Sequence, residues 1–157
     1  MPEPSVLHNT FVIERLYPKS PEIVFAAFSD PVKKRRWFAE GLSTELELFT
    51  MDFRVGGVES YRSRFKEGSP FPGVELTSDG TYHEIIPNRC IVVAATMAIG
   101  GRRISTAIAT IELLPAAGGT NLRCTHQAAF YEGADGPTMR EAGWRKLFDR
   151  LAEEIAS

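Results

Sequence analysis

The sequence predicts an α+β fold in which an antiparallel sheet of about six to seven strands curves around one long C-terminal helix. Three observations support this prediction. Strand-like segments follow one another from Ser43 to Phe130 with short glycine-containing turns between them, which is typical of an antiparallel sheet. Two helix-start signals follow the first strand-like segment. The final segment, from Thr138 to about Ile155, has the apolar period of an amphipathic helix.

The chain begins with one predicted strand and two predicted short helices. Asn9–Tyr17 mixes apolar and polar residues in the manner of a strand. Ser20-Pro21-Glu22 supplies an N-cap serine, a proline at the first helical position and an acid in the first turn, which predicts a helix that ends near Ser29. Asp30-Pro31 repeats this signal and predicts the second short helix.

A run of four basic residues, Lys33 to Arg36, lies on the second short helix just before Trp37 and Phe38. Consecutive helical residues are about 100° apart, so the four basic side chains point in different directions instead of forming one phosphate-binding stripe. The chain has 18 Lys and Arg against 20 Asp and Glu, and no nucleic-acid partner is expected. We expect a solvated helix that ends in a packed Trp-Phe anchor, with a phosphate-binding patch as the alternative.

Six further strands are predicted before the last helix. Their segments are TELELF, VESYRSRF, GTYHEI, CIVVAATMA, RISTAIATIELL and NLRCTHQAAF. The pairs Gly56-Gly57 and Gly100-Gly101 favour hairpin turns because glycine accepts positive φ at little steric cost. The predicted order is strand, two short helices, six strands and a helix, in one domain over residues 1–157 with an ordered core of about 9–155.

The last helix has one apolar face and one exception within it. Thr138–Glu141 has the spacing of a capping box, which predicts the start of the helix there. Arg140 falls inside the apolar arc of the helical projection, near the helix start. The arc itself is formed by Trp144, Leu147, Phe148, Leu151 and Ile155.

Composition and motifs argue against several classes of protein. Cys90 and Cys124 lie far apart without zinc-site spacing, and the histidines at 8, 83 and 126 do not suggest a metal site. GxSxG, HExxH, P-loop and Rossmann glycine patterns are absent, so no cofactor is expected. The start MPEPSVLHNT lacks a targeting signal and no apolar run has membrane-spanning length. We therefore expect a cytoplasmic protein without membrane insertion.

Several motifs in order resemble one family over most of the chain, from about Thr10 to Ile155. They are IERLYPKSPEIVFAAFSDPVKKRRWF, DFRVGG, GTYHEIIPNRCIVV, TNLRCTHQ and GWRKLFDRLAEEI. Together they resemble the bacterial proteins named after the C-terminal domain of the activator of Hsp90 ATPase, which belong to the START/Bet v 1-like (SRPBCC) superfamily. The resemblance implies the helix-grip fold, with a cavity between the sheet and the C-terminal helix that holds hydrophobic ligands in various relatives.

Three residues are the main candidates for contact with such a ligand. His126 shares a strand face with apolar residues and either faces the cavity or is a hydrogen-bonded core histidine. Arg140 could meet an anionic head group at the cavity mouth, or its stem could cover apolar surface while its guanidinium reaches water. Gly143 either leaves cavity volume or allows close packing of the helix on the sheet.

The remaining cavity candidates are aromatic, methionine and leucine side chains, which suit an adaptable apolar pocket but also fill ordinary cores. They are Trp37, Phe53, Tyr61, Tyr82, Met97, Met139, Trp144 and Leu147. Asp52 and Arg54 are expected to form a structural ion pair. The neighbours His83 and Glu84 are expected on opposite strand faces, which argues against an acid-base dyad.

Three functions follow from the resemblance and the residues. The leading hypothesis is binding of a small hydrophobic molecule with one polar end. The enzyme alternative is a cyclase, dehydratase or hydrolase of hydrophobic substrates, which would need His126 or Glu84 in the cavity. The third is a co-chaperone-like partner. Stimulation of an Hsp90 ATPase is not expected, because the eukaryotic activator carries an additional N-terminal domain for which 157 residues leave no room. A homodimer is left open.

Overall fold

A computed structural model describes residues 5–41 and 43–157. The stretch MPEPSVLHNT, in which no targeting signal is predicted, lies partly outside the described residues. In chain order the elements are β1 (Leu7–Tyr17), α1 (Pro21–Ser29), α2 (Pro31–Lys34), a π-helical turn (Arg35–Ala39), β2 (Thr44–Met51), β3 (Val58–Phe65), β4 (Glu75–Ile86), β5 (Cys90–Ile99), β6 (Arg102–Ala116), β7 (Gly119–Phe130) and α3 (Pro137–Ala156).

All seven strands form one antiparallel sheet, with the order β1-β7-β6-β5-β4-β3-β2. β1 and β7 are distant in sequence yet pair along their lengths, from Leu7 with Phe130 to Tyr17 with Thr120. One face of the curved sheet points towards α3 and the other towards solvent, so buried residues alternate with less buried ones, as in β7. The predicted helix-grip fold is confirmed.

The two short helices form where the sequence predicts them. The Ser20 hydroxyl caps α1 by accepting from the Ile23 N–H, and the Asp30 carboxylate caps α2 by accepting from the Val32 and Lys33 N–H groups. α2 continues directly into the π-helical turn, which places Trp37 in the core. The indole N–H of Trp37 donates to the Ala27 carbonyl at 2.8 Å.

The basic run is not uniformly solvated, contrary to expectation. Arg35 and Arg36 are exposed, but Lys34 is only 5% exposed and lies beneath the helix against β3. The four side chains do point in different directions, as the helical projection predicts. One of these directions is the protein interior, and Lys34 is buried there because Glu59 supplies a countercharge.

α3 begins earlier than predicted and without a capping box. Its N-cap is Gly136, at φ 85°, and Pro137 occupies the first helical position. Thr138 therefore already lies inside the helix, and its hydroxyl does not cap it. Glycine is favoured at position 136 because side chains strain a backbone with positive φ.

The core lies between the sheet, α1 and the C-terminal half of α3. Phe148, Leu151 and Ile155 of the predicted apolar arc are buried there, against Ile13 and Leu122 of the two paired strands among others. At the surface, Asp52 and Arg54 form the expected ion pair, with 2.7 Å between carboxylate and guanidinium.

Polar contacts fix the position of α3 on the edge of the sheet. The Tyr17 hydroxyl donates to the Phe148 carbonyl at 2.8 Å in the interior. Arg15 binds Asp149 at 2.6 Å, and Arg36 binds Glu154 at 2.7 Å. Because these contacts attach α3 to β1 and to the π-helical turn, the helix does not settle onto the central strands.

We expect Tyr17→Phe to lower the free energy of unfolding by about 1–2 kcal/mol, because the Phe148 carbonyl loses its buried hydrogen bond from the phenol. Urea denaturation measures the change. Tyr131→Phe is the control, since the Tyr131 hydroxyl contacts Thr106 near the surface, and it should cost less. Equal losses in the two variants would contradict the assigned role of Tyr17.

Candidate functional site

The strand register builds a trough across the sheet face that points towards α3. Glu59 pairs with Gly80, Gly80 with Ala95, and Ala95 with Ala107, across β3 to β6. We call Gly80, Ala95 and Ala107 the small-residue row. An added Cβ at Gly80 would lie 3.2 Å from the Ala95 Cβ, so even alanine would be tight there. Small side chains on three consecutive strands leave space above them.

Larger side chains flank the small-residue row on β5, where Ala95 lies between Val93 and Met97. Towards the core, Val93, Ala109 and His126 form the next row of paired residues. On the opposite side Ser78 pairs with Met97. The depression therefore extends across β4, β5 and β6 and is narrowest along β5.

Between this trough and α3 lies a cavity of about 400 Å³. That volume is within the range of cavities that hold small organic ligands. The roof consists mainly of α3 residues, among them Gly143, Trp144 and Leu147, and the π-helical turn contributes Trp37 and Phe38. Most of the lining is aliphatic or aromatic, and a few buried polar groups lie at its two ends.

At the β3 end of the cavity a lysine and a glutamate form a buried ion pair. The Lys34 Nζ lies 3.0 Å from each oxygen of the Glu59 carboxylate. Its hydrogen bond goes to Oε2, which also accepts from the Tyr82 hydroxyl at 2.6 Å, whereas Oε1 has no hydrogen-bond partner among the described residues. Lys34 also lies 4.5 Å from the centre of the Phe38 ring, a cation–π distance. Burial, followed by the Glu59 charge, raises the pKa of Tyr82.

At the other end, Arg140 is held by Asp135 and Ser105. Its Nε and Nη2 donate to the two Asp135 carboxylate oxygens at 2.9 Å each, and Nη2 also donates to the Ser105 hydroxyl at 2.9 Å. Arg140 is 7% exposed and packs on the Phe130 ring. The guanidinium therefore does not reach water, and its charge already has a carboxylate partner.

His126 lies in the cavity wall between two aromatic rings. Its imidazole stacks on Phe11, with 4.5 Å between ring centres, and meets the edge of Trp144 at 5.9 Å. Nδ1 is buried and has no hydrogen-bond partner within the described part of the chain, so His126 is not the hydrogen-bonded core histidine considered above. Burial, and then the positive charge of Arg140, lowers the pKa of His126 to about 4. The imidazole is therefore neutral at neutral pH.

Of the predicted cavity residues, all except Phe53 and Tyr82 line the cavity. Tyr82 is fully buried against Glu59, and Phe53 packs on Tyr82, with 5.0 Å between ring centres, outside the lining. Gly143 lies at the mouth, and an added Cβ would meet no described atom within 4 Å, which excludes close packing of the helix on the sheet as its reason. Contact of these residues with a ligand stays a prediction.

The dyad considered for enzyme chemistry is not assembled. His83 and Glu84 are both exposed, because a bulge between Tyr82 and Glu84 shifts the register of β4 and breaks the alternation. Glu84 does not line the cavity.

Among residues 5–41 and 43–157, no group of three His, Cys, Asp or Glu side chains is placed to hold a metal ion. Within the same ranges, no helix has the length and apolar character of a membrane span.

Sequence reasoning missed Lys34, Glu59 and Asp135 as cavity residues. Asp135 lies five residues before Arg140, so proximity in sequence could have suggested that pair. Lys34 and Glu59 are 25 residues apart, and no local signal identifies them as partners. Alternation along β3 could have placed Glu59 on the same face as Tyr61.

We expect Lys34→Met to destabilise the protein by about 3 kcal/mol or more, because the Glu59 carboxylate would stay buried without its countercharge. The double variant Lys34→Met/Glu59→Gln should recover most of this loss, since neither charge then remains. Urea denaturation compares them. Lys33→Met, at the half-buried neighbouring position, should cost less than about 1 kcal/mol. A double variant as unstable as Lys34→Met would refute the countercharge explanation.

His126 should make stability depend on acid pH. Its pKa is about 4 when folded and about 6.5 when unfolded, so between these values the unfolded chain binds a proton that the folded protein does not. Stability attributable to His126 should be full above about pH 6.5 and fall by up to about 3 kcal/mol as the pH drops through 4. The measurement is urea denaturation from pH 4 to 7. His126→Phe should flatten this dependence, whereas His83→Phe, at an exposed position, should retain it; unchanged slopes in both would disprove the assignment.

Comparisons with known proteins agree on one family. The family model described as Activator of Hsp90 ATPase homolog 1-like protein matches residues 18–156. A putative uncharacterized protein from Rhizobium leguminosarum has a similar structure, with 32% identity, coverage of 97% of each chain and a TM-score of 0.89. The Mll3558 protein from Rhizobium loti is 43% identical, over 96% of this chain and 99% of that protein, with a TM-score of 0.84.

More distant matches support the fold. An AHSA1-like protein from Aeromonas hydrophila is 20% identical over 94% of this chain and 92% of that chain, with a TM-score of 0.68. None of the curated proteins compared with the chain matches it. The match over residues 18–156 and the two rhizobial structures, taken with the sheet and helix described above, show that this chain belongs to the Activator of Hsp90 ATPase homolog 1-like family, within the START/Bet v 1-like fold.

Proposed function

We propose that the protein binds a small, largely apolar molecule in the cavity between the sheet and α3. The observation that carries this proposal is the cavity itself, about 400 Å³ of space lined mainly by apolar side chains and bounded by ordered strands and helices. Interiors of proteins are normally close-packed, so unfilled volume of this size needs an explanation. The fold of this family commonly binds hydrophobic ligands.

Structural features around the cavity are consistent with a preformed site. The π-helical turn is anchored by Trp37 in the core, and Arg150 of α3 donates to the carbonyls of Arg36 and Glu40 at its two ends. The roof is thus fixed to the walls by hydrogen bonds. A ligand would not need to order these elements on binding, which lowers the entropic cost of association.

The energetics of binding depend on how the polar part of the ligand is matched. Burial of about ten methylene groups contributes roughly 8 kcal/mol, and association opposes this by at least about 4 kcal/mol. The remainder corresponds to weak binding, on the order of millimolar. Hydrogen bonds at the polar ends of the cavity would therefore decide the affinity. His126 could supply one through its unpartnered Nδ1 after a small side-chain movement, because this nitrogen is buried in the present conformation.

We expect Gly143→Phe to weaken ligand binding at least about tenfold, because the phenyl ring would extend into open space at the cavity mouth. The probe is decan-1-ol, titrated while tryptophan fluorescence is recorded, since Trp37 and Trp144 both line the cavity. Native mass spectrometry of the purified protein, followed by extraction, tests for a retained molecule.

The matched control is Ala142→Phe, which places the same ring on the neighbouring exposed position of α3, outside the lining. This variant should bind decan-1-ol like the unmodified protein. The proposal fails if decan-1-ol does not bind to the unmodified protein, or if Gly143→Phe and Ala142→Phe bind it equally well.

A further inference from the structure

We infer that the cavity selects an uncharged, elongated ligand that lies across the strands, and rejects anions and cations of the same length. This inference rests on the proposed function and specifies the class of ligand. It depends on two independent observations, the shape of the cavity floor and the pairing of the charges around it.

The shape of the floor determines the direction of the ligand. Gly80, Ala95 and Ala107 are direct neighbours on β4, β5 and β6, so their row is perpendicular to the strands. Neighbouring strands lie about 4.8 Å apart, and the distance from Glu59 on β3 to Ala107 on β6 is roughly 14 Å along the row. A chain of about ten carbons fits such a trough. Val93 and Met97 flank Ala95 on β5 and so obstruct a ligand that lies along that strand, whereas Ser105 and Ala109 beside Ala107 on β6 are small.

The charges of the cavity are compensated within the protein. Lys34 is paired with Glu59, and Arg140 with Asp135 through two hydrogen bonds. Nearby, His126 is neutral at neutral pH. The two buried cations therefore already have carboxylate partners at 2.9 to 3.0 Å. A third lining cation, Arg150, donates to the carbonyls of Arg36 and Glu40, and the Glu40 carboxylate in the lining balances its formal charge.

An ionised ligand would lose its hydration in this cavity without gaining a free countercharge. Desolvation of a charge is costly unless the protein supplies a partner, and a carboxylate approaching Arg140 would also meet the Asp135 carboxylate. A hydroxyl loses far less on leaving water and can hydrogen-bond to buried acceptors. Two polar side chains of the cavity wall have an unpartnered buried atom among the described residues, Glu59 Oε1 and His126 Nδ1, and a small side-chain movement would expose either atom to a ligand hydroxyl.

The role of Arg140 consequently changes from the one expected from sequence. An arginine at the mouth of an apolar cavity suggests recognition of an anionic head group, but this guanidinium is 7% exposed and satisfied by Asp135 and Ser105. Its function in the structure is to join α3 to β6 at this end of the cavity. Recognition of a carboxylate by the Nε and Nη2 side of the guanidinium would require displacement of Asp135.

The test compares three probes of equal length: decan-1-ol, decanoate and decylammonium. Their affinities for the full-length protein are measured at pH 7 by tryptophan fluorescence and checked by native mass spectrometry. We expect decan-1-ol to bind at least about tenfold more tightly than either ion. Decanoate or decylammonium binding as tightly as decan-1-ol would overturn the inference and leave the proposed function intact, whereas no binding of any probe would overturn both.

A variant that removes one carboxylate tests why the cavity prefers uncharged ligands. Asp135→Asn leaves the Arg140 charge without its carboxylate, so the affinity for decanoate relative to decan-1-ol should rise by about tenfold. Asp52→Asn is the matched control, because Asp52 binds Arg54 at the surface and does not line the cavity, and this ratio should stay unchanged. An unchanged ratio in Asp135→Asn would refute charge compensation as the cause.

The orientation across the strands has its own variant pair. Ala95→Leu fills the centre of the small-residue row and should weaken binding of decan-1-ol at least about tenfold. Ala94→Leu adds the same side chain on the opposite face of β5 and should leave the affinity unchanged. Equal affinities of the two variants would refute the assigned orientation, even if the cavity binds the probe.

Discussion

The antiparallel register of the central strands is the constraint on which the candidate site depends. Paired residues on neighbouring strands point to the same face, so each row across the sheet presents one set of side chains towards α3. Where the row holds Ile91, Ile111 and Cys124, the space is filled and forms the core. Four residues further along the strands the floor consists of glycine and alanine, and the same sheet leaves a cavity. Side-chain size within one row thus decides between core and site.

The position of α3 is the second requirement, because a helix free to move would settle onto the small residues and close the space. The helix is held at both ends. Its first turn is tied to β6 through Arg140 and Ser105, and its C-terminal half is tied to β1 and to the π-helical turn through Asp149, Arg150 and Glu154. The resulting cavity is therefore a consequence of polar contacts at the periphery as well as of small residues in the floor.

Much of this fold follows from local sequence signals, while the site follows only in part. Caps and prolines identify α1 and α2, and alternation identifies β7 with its inward-facing His126, because these features depend on near neighbours. The row of Gly80, Ala95 and Ala107 could not be predicted, since it depends on how two hairpins set their registers, including bulges in β4 and β6. His83 and Glu84 are another case in which the sequence is insufficient. Alternation predicts that they lie on opposite faces of β4, but a bulge leaves both side chains exposed.

The buried Lys34–Glu59 pair illustrates why charge in the sequence does not reveal its environment. A lysine in a basic run is usually solvated, and only a carboxylate 25 residues away makes burial of this one feasible. Such a pair adds little net stability, because desolvation of both ions offsets most of their attraction. Its effect on geometry is larger, because the pair joins α2 to β3 at one end of the cavity. The Tyr82 hydroxyl holds the Glu59 carboxylate in place from the core side. On this reasoning the pair serves mainly to position the cavity wall and to keep that end of the cavity polar without leaving a free charge in it.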